Sequence, residues 1–198
     1  MIFEGTPKAS LRRRLLAARA LLTSDDIALA GERLARRALE LPELAGAGTV
    51  AAYVSVGREP GTRALLDALH ARGVRVLLPV LLDDNDLDWA AYAGRDSLAR
   101  AGRGLLEPTG PRLGPDAVAA ADAVLLPGLA VDGRGLRLGR GGGSYDRVLA
   151  RLERHRARAA LVVLLYDDEV VAEVPAEPHD HPVRAAVTPS GVTRFTPW

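Results

Sequence analysis

The segment with the clearest chemical character covers residues 127–146 and reads PGLAVDGRGLRLGRGGGSYD. Four glycines, at positions 139, 141, 142 and 143, precede a helical pattern, and Arg137 and Arg140 stand among them. Backbone N–H groups of a flexible loop and of a helix N-terminus can converge on one anion, which the arginines also attract. Glycines also make tight turns, but so many together cost backbone entropy that a plain turn does not need. The segment therefore predicts a phosphate-binding loop.

Common glycine-rich motifs do not fit this loop. A P-loop requires a lysine after its last glycine, and none is near. In the dinucleotide motif the pattern begun by Gly139-x-Gly141 would end on glycine, where Ser144 stands, and the segment lies late in the chain. A nucleophile elbow would need glycine at Asp146, so Ser144 is not predicted to be a hydrolase nucleophile.

Two possible metal motifs are also rejected. The acidic run at 84–88 resembles a calcium loop, but Trp89 and Arg95 occupy the positions that require glycine and glutamate. The His-Asp-His run at 179–181 has no further histidine at zinc-ligand spacing.

Several ordered segments together identify a family resemblance. The run LRLGRGGGSYDR, preceded by PGLAVD, resembles the motif of the 5-formyltetrahydrofolate cyclo-ligase family. Other segments agree with that family in order and spacing: Lys8-x-x-x-Arg12, Tyr53-x-x-x-x-x-Glu59-x-x-Thr62, residues 76–79, Leu106-Glu107-Pro108, Glu177-Pro178-His179-Asp180 and Val187-Thr188. The resemblance implies an ATP- and Mg²⁺-dependent ligase that converts 5-formyltetrahydrofolate to 5,10-methenyltetrahydrofolate, ADP and phosphate. It also implies that ATP phosphorylates the formyl oxygen before N10 attacks.

The resemblance assigns the nucleotide to two parts of the chain. Lys8 and Arg12 match an ATP-binding pair, and their i,i+4 spacing puts them on one helix face. Arg140 matches the cation that stabilises the transferring phosphoryl group, so it and Lys8 are the expected catalytic residues. The expected ATP-binding residues are Lys8, Arg12, Arg137, Leu138, Gly139, Arg140, Gly141, Gly142, Gly143, Ser144 and Tyr145.

The metal and folate positions follow from the same resemblance. Asp146 and Asp180 match carboxylates beside Mg²⁺, which takes one or two carboxylates together with phosphate oxygens and water. Val54, Glu59 and Tyr145 match substrate-binding positions.

Two departures from the family pattern keep alternatives open. Ser144 stands where the family usually has an aromatic residue, and Gly142 where some members have lysine. One alternative is a folate- or nucleotide-binding protein of the same fold without turnover. A more distant one is a sugar-phosphate isomerase or a CoA-transferase-like enzyme.

The elements that must position these residues alternate between helices and buried strands. We expect helices from Pro7 and from Ser24, then strands at 50–54, 74–79, 87–91, 123–127 and 160–165, with helices at 61–72 and 144–155. This order favours an α/β fold, a single three-layer α/β/α domain over residues 1–198 with a mostly parallel sheet.

Composition limits the partners. The 198 residues carry a formal net charge of +1, which gives no overall field for nucleic acid or a membrane surface. The absence of cysteine excludes thiol nucleophiles and disulfides. No signal peptide or membrane span is evident, so we expect a cytoplasmic protein with a small-molecule substrate, as a monomer with an oligomer left open. Lys8 is the only lysine, among 26 basic residues.

Overall fold

The computed structural model describes residues 6–178 and 180–195. Helix α1 (Pro7–Ala20) begins as expected, with Pro7 at the first helical position and the Thr6 hydroxyl accepting a hydrogen bond from the Ala9 N–H. Helix α2 (Ser24–Leu39) begins at Ser24 as predicted, and Thr23 before it exchanges hydrogen bonds with Asp26 in a capping box.

The remaining elements follow in chain order. The helices are α3 (Pro42–Ala45), α4 (Arg63–Ala71) and α5 (Ser144–Arg154). The strands are β1 (Thr49–Ala51), β2 (Arg75–Leu81), β3 (Leu87–Ala91), β4 (Leu98–Arg100), β5 (Leu106–Pro108), β6 (Ala123–Pro127), β7 (Ala130–Val131), β8 (Arg137–Leu138), β9 (Ala160–Leu164), β10 (Ala185–Val187) and β11 (Val192–Arg194).

Seven of these strands form one sheet in the order β11-β10-β9-β6-β1-β2-β3. Neighbours from β10 to β2 are parallel, and the edge strands β3 and β11 are antiparallel to theirs. Alternate residues of each strand face opposite sides. Val50 and Leu125 pack with α2 and α4, whereas Ala51 and Val124 pack with α5. The α/β prediction with a mostly parallel sheet and helices on both faces is confirmed.

The strand order creates a crevice at one edge of the sheet. From β1 the chain continues to its neighbour β2 on one side, whereas the later strand β6 pairs with β1 on the other side. The direction in which strands are added to the sheet therefore reverses between β1 and β6. Ligands of open α/β sheets bind outside the carboxyl ends of strands at such a point.

Strand β1 ends earlier than predicted, at Ala51. The Thr62 hydroxyl donates to the Tyr53 carbonyl at 2.8 Å and accepts from the Ser55 N–H at 2.9 Å. This side chain satisfies the backbone that would otherwise continue the ladder, so the chain turns toward the crevice with Val54 and Glu59.

The inner face of helix α1 carries basic residues as well as a leucine. Leu16 is 39% exposed, whereas Arg19 is 3% exposed. Lys8, Arg12, Leu15 and Arg19 repeat at helical spacing and share the inner face. Arg19 can be buried there because its guanidinium donates to both carboxylate oxygens of Glu169, at 2.6 and 2.9 Å.

Candidate functional site

A cleft of about 330 Å³ opens at the carboxyl edge of the sheet. It lies between the glycine-rich loop that follows β8 and the ends of β1 and β2. Its lining residues are Tyr53, Val54, Val56, Glu59, Pro79, Leu81, Asn85, Leu87, Arg103, Leu105, Leu106, Glu107, Pro127, Gly128, Arg137, Gly139, Arg140, Gly141, Gly142, Gly143, Ser144, Tyr145 and Asp146. Nearly all the residues predicted from the loop therefore meet at one cavity with Val54 and Glu59.

The short hairpin of β7 and β8 delivers the loop. Within it, Gly141 and Gly143 have φ angles of +94° and +78°, which side-chain-bearing residues rarely adopt. Gly143 caps α5, whose first residue is Ser144, so the helix N-terminus opens into the cleft. This geometry is the one that the glycine pattern predicts.

Arg137 lies beneath the loop and is almost fully buried. Its guanidinium donates to the Pro127 carbonyl at 3.0 Å and to the Asp146 carboxylate at 3.1 Å, while its Nε has no hydrogen-bond partner among the described residues. Burial lowers the pKa of Arg137, against the opposing charge of Asp146. A Cβ at Gly139 would lie 2.8 Å from Nη1 of Arg137. A side chain at position 139 would therefore displace the Arg137 guanidinium from this position, a constraint that the sequence does not reveal.

Arg140 joins the two sides of the cleft. Its Nε lies 3.3 Å from Oε1 of Glu59, and the other oxygen of Glu59 accepts from the Val56 N–H at 2.9 Å. The Arg140 side chain is 54% exposed and that of Glu59 only 11%. The acid is thus held by a hydrogen bond within its own turn, and the arginine is the more exposed partner.

Lys8 and Arg12 contact the site from α1 and do not line the cleft themselves. Arg12 Nε donates to the Gly139 carbonyl at 2.9 Å, and its guanidinium carbon lies 3.3 Å from the position of a Cβ at Gly141. Lys8 Nζ donates to both oxygens of Asp180, at 2.9 and 3.0 Å, and to Glu177 at 2.9 Å. Burial lowers the pKa of Lys8, but these two carboxylates outweigh it, so the pKa lies above its ordinary value.

The two carboxylates predicted to hold a metal each contact a predicted nucleotide-binding cation. Asp146 is half exposed and gives one oxygen to Arg137, whereas Asp180 is mostly buried and gives both oxygens to Lys8. The described residues contain no group of three or more metal-ligating side chains. A Mg²⁺ ion that takes one or two carboxylates and completes its shell with phosphate oxygens and water fits the half-exposed Asp146. His179 of the rejected zinc motif lies outside the described residues.

Three further predicted residues differ in how they reach the cleft. Val54 and Tyr145 line the cleft. The buried hydroxyl of Tyr145 has no hydrogen-bond partner among the described residues. Burial raises the pKa of this hydroxyl. Leu138 packs against α1 in a cluster with Leu15, and its carbonyl accepts from the Leu129 N–H. Only the backbone of Leu138 therefore supports the loop.

The sequence reasoning missed the far wall of the cleft. Pro79 and Leu81 line it from the end of β2, Leu87 from the start of β3, Leu106 from the start of β5 and Leu105 from the residue before it. Glu107, noticed only as part of a motif, accepts from the Leu81 N–H at 2.9 Å and joins the two segments. Apolar residues at strand ends carry no chemical pattern, so only the topology reveals them.

Fold and site together define an α/β protein with a glycine-rich loop and a deep cleft at the topological switch point of its sheet. Comparison with known proteins identifies the family. The family model described as the 5-formyltetrahydrofolate cyclo-ligase family matches residues 4–189. The chain belongs to this family and is an enzyme of it.

Relatives and solved structures agree with that assignment. The chain is 46% identical over 146 residues to the 5-formyltetrahydrofolate cyclo-ligase of Mycolicibacterium smegmatis, covering 71% of this chain and 73% of the relative. It is 32% identical over 176 residues to that of Escherichia coli, covering 88% and 96%. The 5,10-methenyltetrahydrofolate synthetase of Aquifex aeolicus superposes with a TM-score of 0.78 at 26% identity, over 96% of this chain and 94% of the other. The isomerase and CoA-transferase alternatives are thereby excluded.

Proposed function

We propose that this enzyme uses ATP and Mg²⁺ to convert 5-formyltetrahydrofolate to 5,10-methenyltetrahydrofolate, with release of ADP and phosphate. The observation that carries the proposal is the cleft itself, in which the glycine-rich loop with its arginines faces an acid held by its own turn, Glu59, and an apolar wall. The proposal includes a monomeric, cytoplasmic chain that folds as one domain over residues 1–198.

The chemistry explains why a phosphoryl donor is needed. A formamide oxygen is a poor leaving group, so the formyl oxygen first attacks the γ-phosphorus and ADP leaves. N10 then attacks the formyl carbon and loses its proton, and the carbon–oxygen bond breaks as phosphate departs. Because N10 and the formyl carbon belong to one molecule, holding them in contact gives a large effective molarity.

The charges around the loop support a phosphate ligand. Lys8, Arg137 and Arg140 are each paired with a carboxylate: Asp180, Asp146 and Glu59 respectively. A triphosphate can replace these carboxylates as the partner of the cations. Arg12 already contacts the loop backbone, and Arg140, being exposed, can follow charge on the transferring phosphoryl group.

The released carboxylates support the metal. Asp146 is the better placed of the two predicted ligands, because its carboxylate is half exposed at the cleft. Asp180 becomes available when the ammonium of Lys8 turns to phosphate. Bound Mg²⁺ would neutralise charge on the phosphate oxygens.

The folate side of the cleft is built from Glu59, Val54 and Tyr145. Among the described residues, Glu59 accepts one backbone hydrogen bond and one arginine contact, so its carboxylate retains capacity for N–H donors of the pterin. Release of Arg140 toward phosphate would increase that capacity.

The proposal is tested by mixing the purified protein with Mg²⁺, ATP and 5-formyltetrahydrofolate and recording the methenyl chromophore. We expect a signal that requires all three components. It should fall by at least about a hundredfold in Asp146→Asn and stay unchanged in Asp96→Asn, an exposed aspartate outside the cleft. Folate binding without turnover would instead support the non-catalytic alternative that Ser144 raises, and a signal without ATP would refute the phosphorylation step.

A further inference from the structure

The cleft has a defined direction along the sheet edge. The carboxyl ends of β6, β1 and β2 succeed one another there, and because β3 is antiparallel its first residue, Leu87, lies at the same edge. Three strand spacings separate β6 from β3, or about 14 Å. The phosphate loop stands at the β6 end, and the turn before β3 stands at the other.

A cationic side chain lies at that other end. Arg103 lines the cleft and donates from Nη1 to the Asn85 side-chain oxygen at 2.8 Å. Both residues have left-handed backbones, with φ angles of +59° and +65°. Arg103 is exposed, and no carboxylate of the described part of the chain lies within ion-pair distance of it. Two acids of the neighbouring segments have other partners, since Glu107 accepts from the Leu81 N–H and Asp86 pairs with Arg151.

Between Arg103 and the reacting end, the cleft wall is apolar. Pro79, Leu81, Leu87, Leu105 and Leu106 form this stretch. The cleft thus offers a polar reaction end, an apolar middle and a separate cation at its mouth. A ligand matched to it has an aromatic or aliphatic middle and a terminal anion.

We propose that Arg103 binds the glutamate carboxylate of the folate substrate, with the p-aminobenzoyl ring on the apolar stretch. This inference rests on the proposed function, and it names the residue that selects for the substrate tail. Asn85 holds the guanidinium in place by accepting one N–H, which leaves the other N–H donors for a carboxylate.

The test compares two substrates, 5-formyltetrahydrofolate and the primary amide of 5-formyltetrahydropteroate, which lacks the glutamate and carries no carboxylate in its place. We expect Arg103→Gln to raise KM about fivefold for the first substrate alone, as for an exposed charge pair, and Arg103→Glu to raise it further. Arg103→Lys should restore part of the loss. Arg100→Gln, an exposed arginine three residues away that does not line the cleft, is the matched control and should change neither KM. Calorimetric affinity for 5-formyltetrahydrofolate without ATP should show the same selective loss.

Each outcome decides a separate claim. An unchanged KM ratio between the two substrates in Arg103→Gln would overturn the role of Arg103 while leaving the proposed function intact. An equal loss for both substrates would also overturn it, because a structural effect does not depend on the tail. A wild-type protein that forms no methenyl product with either substrate would refute the proposed function itself.

Discussion

At the scale of single residues, Lys8 carries the most specific expectation. It is the only lysine, so an acetylating reagent can reach only this side chain and the α-amino group. Its raised pKa keeps it protonated to higher pH than an ordinary lysine, so its rate of acetylation should rise with pH through a midpoint above 10.5. We predict that ATP protects Lys8 and that modification raises the KM for ATP about tenfold or more, measured by mass spectrometry and kinetics.

The Lys8→Arg variant separates the two reactive amines. Its side chain does not acetylate, so any remaining effect of the reagent belongs to the α-amino group. An unchanged KM for ATP after complete modification of Lys8 would show that the triphosphate does not bind there.

Arg140 and Glu59 should act at different stages of the reaction. We predict that Arg140→Gln lowers kcat about a hundredfold with little change in the KM for ATP, because a donor to the transition state is lost. Glu59→Gln should instead raise the KM for folate. Steady-state kinetics of both variants distinguish these effects, with Arg147→Gln as a control outside the cleft. A raised KM for ATP with normal kcat in Arg140→Gln would assign that arginine to ground-state binding.

The residues that line the cleft could be predicted from the sequence where they belong to a motif. The glycines, the arginines among them and Glu59 all meet at the cleft, because their spacing already encodes a loop and a strand end. The burial of Arg19 was not predictable, since it depends on Glu169, which is 150 residues distant in sequence. Arg103 was not predicted, because its place on the cleft depends on how the segment between β4 and β5 lies against the β2–β3 turn.

At the scale of elements, the β7–β8 hairpin positions the glycine-rich loop. Its turn is held by Asp132, whose carboxylate is buried and accepts from the N–H groups of Arg134, Leu136 and Val174 and from the Arg134 guanidinium. Burial raises the pKa of Asp132, but these hydrogen bonds lower the pKa by more than burial raises it. The pKa therefore lies below its ordinary value. One side chain thus fixes the turn that carries Arg137 and Gly139.

We predict that Asp132→Asn lowers the free energy of unfolding by about 3 kcal/mol at neutral pH, because buried N–H donors lose their charged acceptor. A lowered pKa contributes stability above the unfolded value, about pH 4, and this contribution disappears as pH falls through the folded value. The wild-type protein should therefore lose stability more steeply in acid than the variant. Urea unfolding at several pH values measures this, with the exposed Asp96→Asn as control. Parallel pH profiles for wild type and variant would contradict the role of Asp132.

Two five-residue strands were predicted with their full bounds. The bounds of β3 and β6 agree with the sequence pattern, because apolar runs buried in the sheet leave little ambiguity. The hairpins β4–β5 and β7–β8 and the strands β10 and β11 were not predicted. They have two or three residues each, too few to show a period, and tertiary contacts determine them.

At the scale of the whole molecule, the near-neutral charge conceals a local arrangement. Cations from α1 and from the loop meet carboxylates from the β1 turn, α5 and the segment after residue 176, all near one edge of the sheet. The described residues include no helix long and apolar enough to cross a membrane. A net charge of +1 provides no overall field, so an anion must be bound by a local group of cations. Only the sheet topology shows that these distant segments converge.

The central claim is that ATP and folate react with each other in this cleft through the formyl oxygen. The most direct measurement uses 5-formyltetrahydrofolate carrying ¹⁸O in the formyl group, in unlabelled water with Mg²⁺ and ATP, followed by mass analysis of the phosphate released. Phosphorylation of the formyl oxygen predicts one ¹⁸O atom in each phosphate formed with methenyl product. Phosphate without the label, formed in step with that product, would show that water rather than the substrate accepts the phosphoryl group, and would contradict the mechanism.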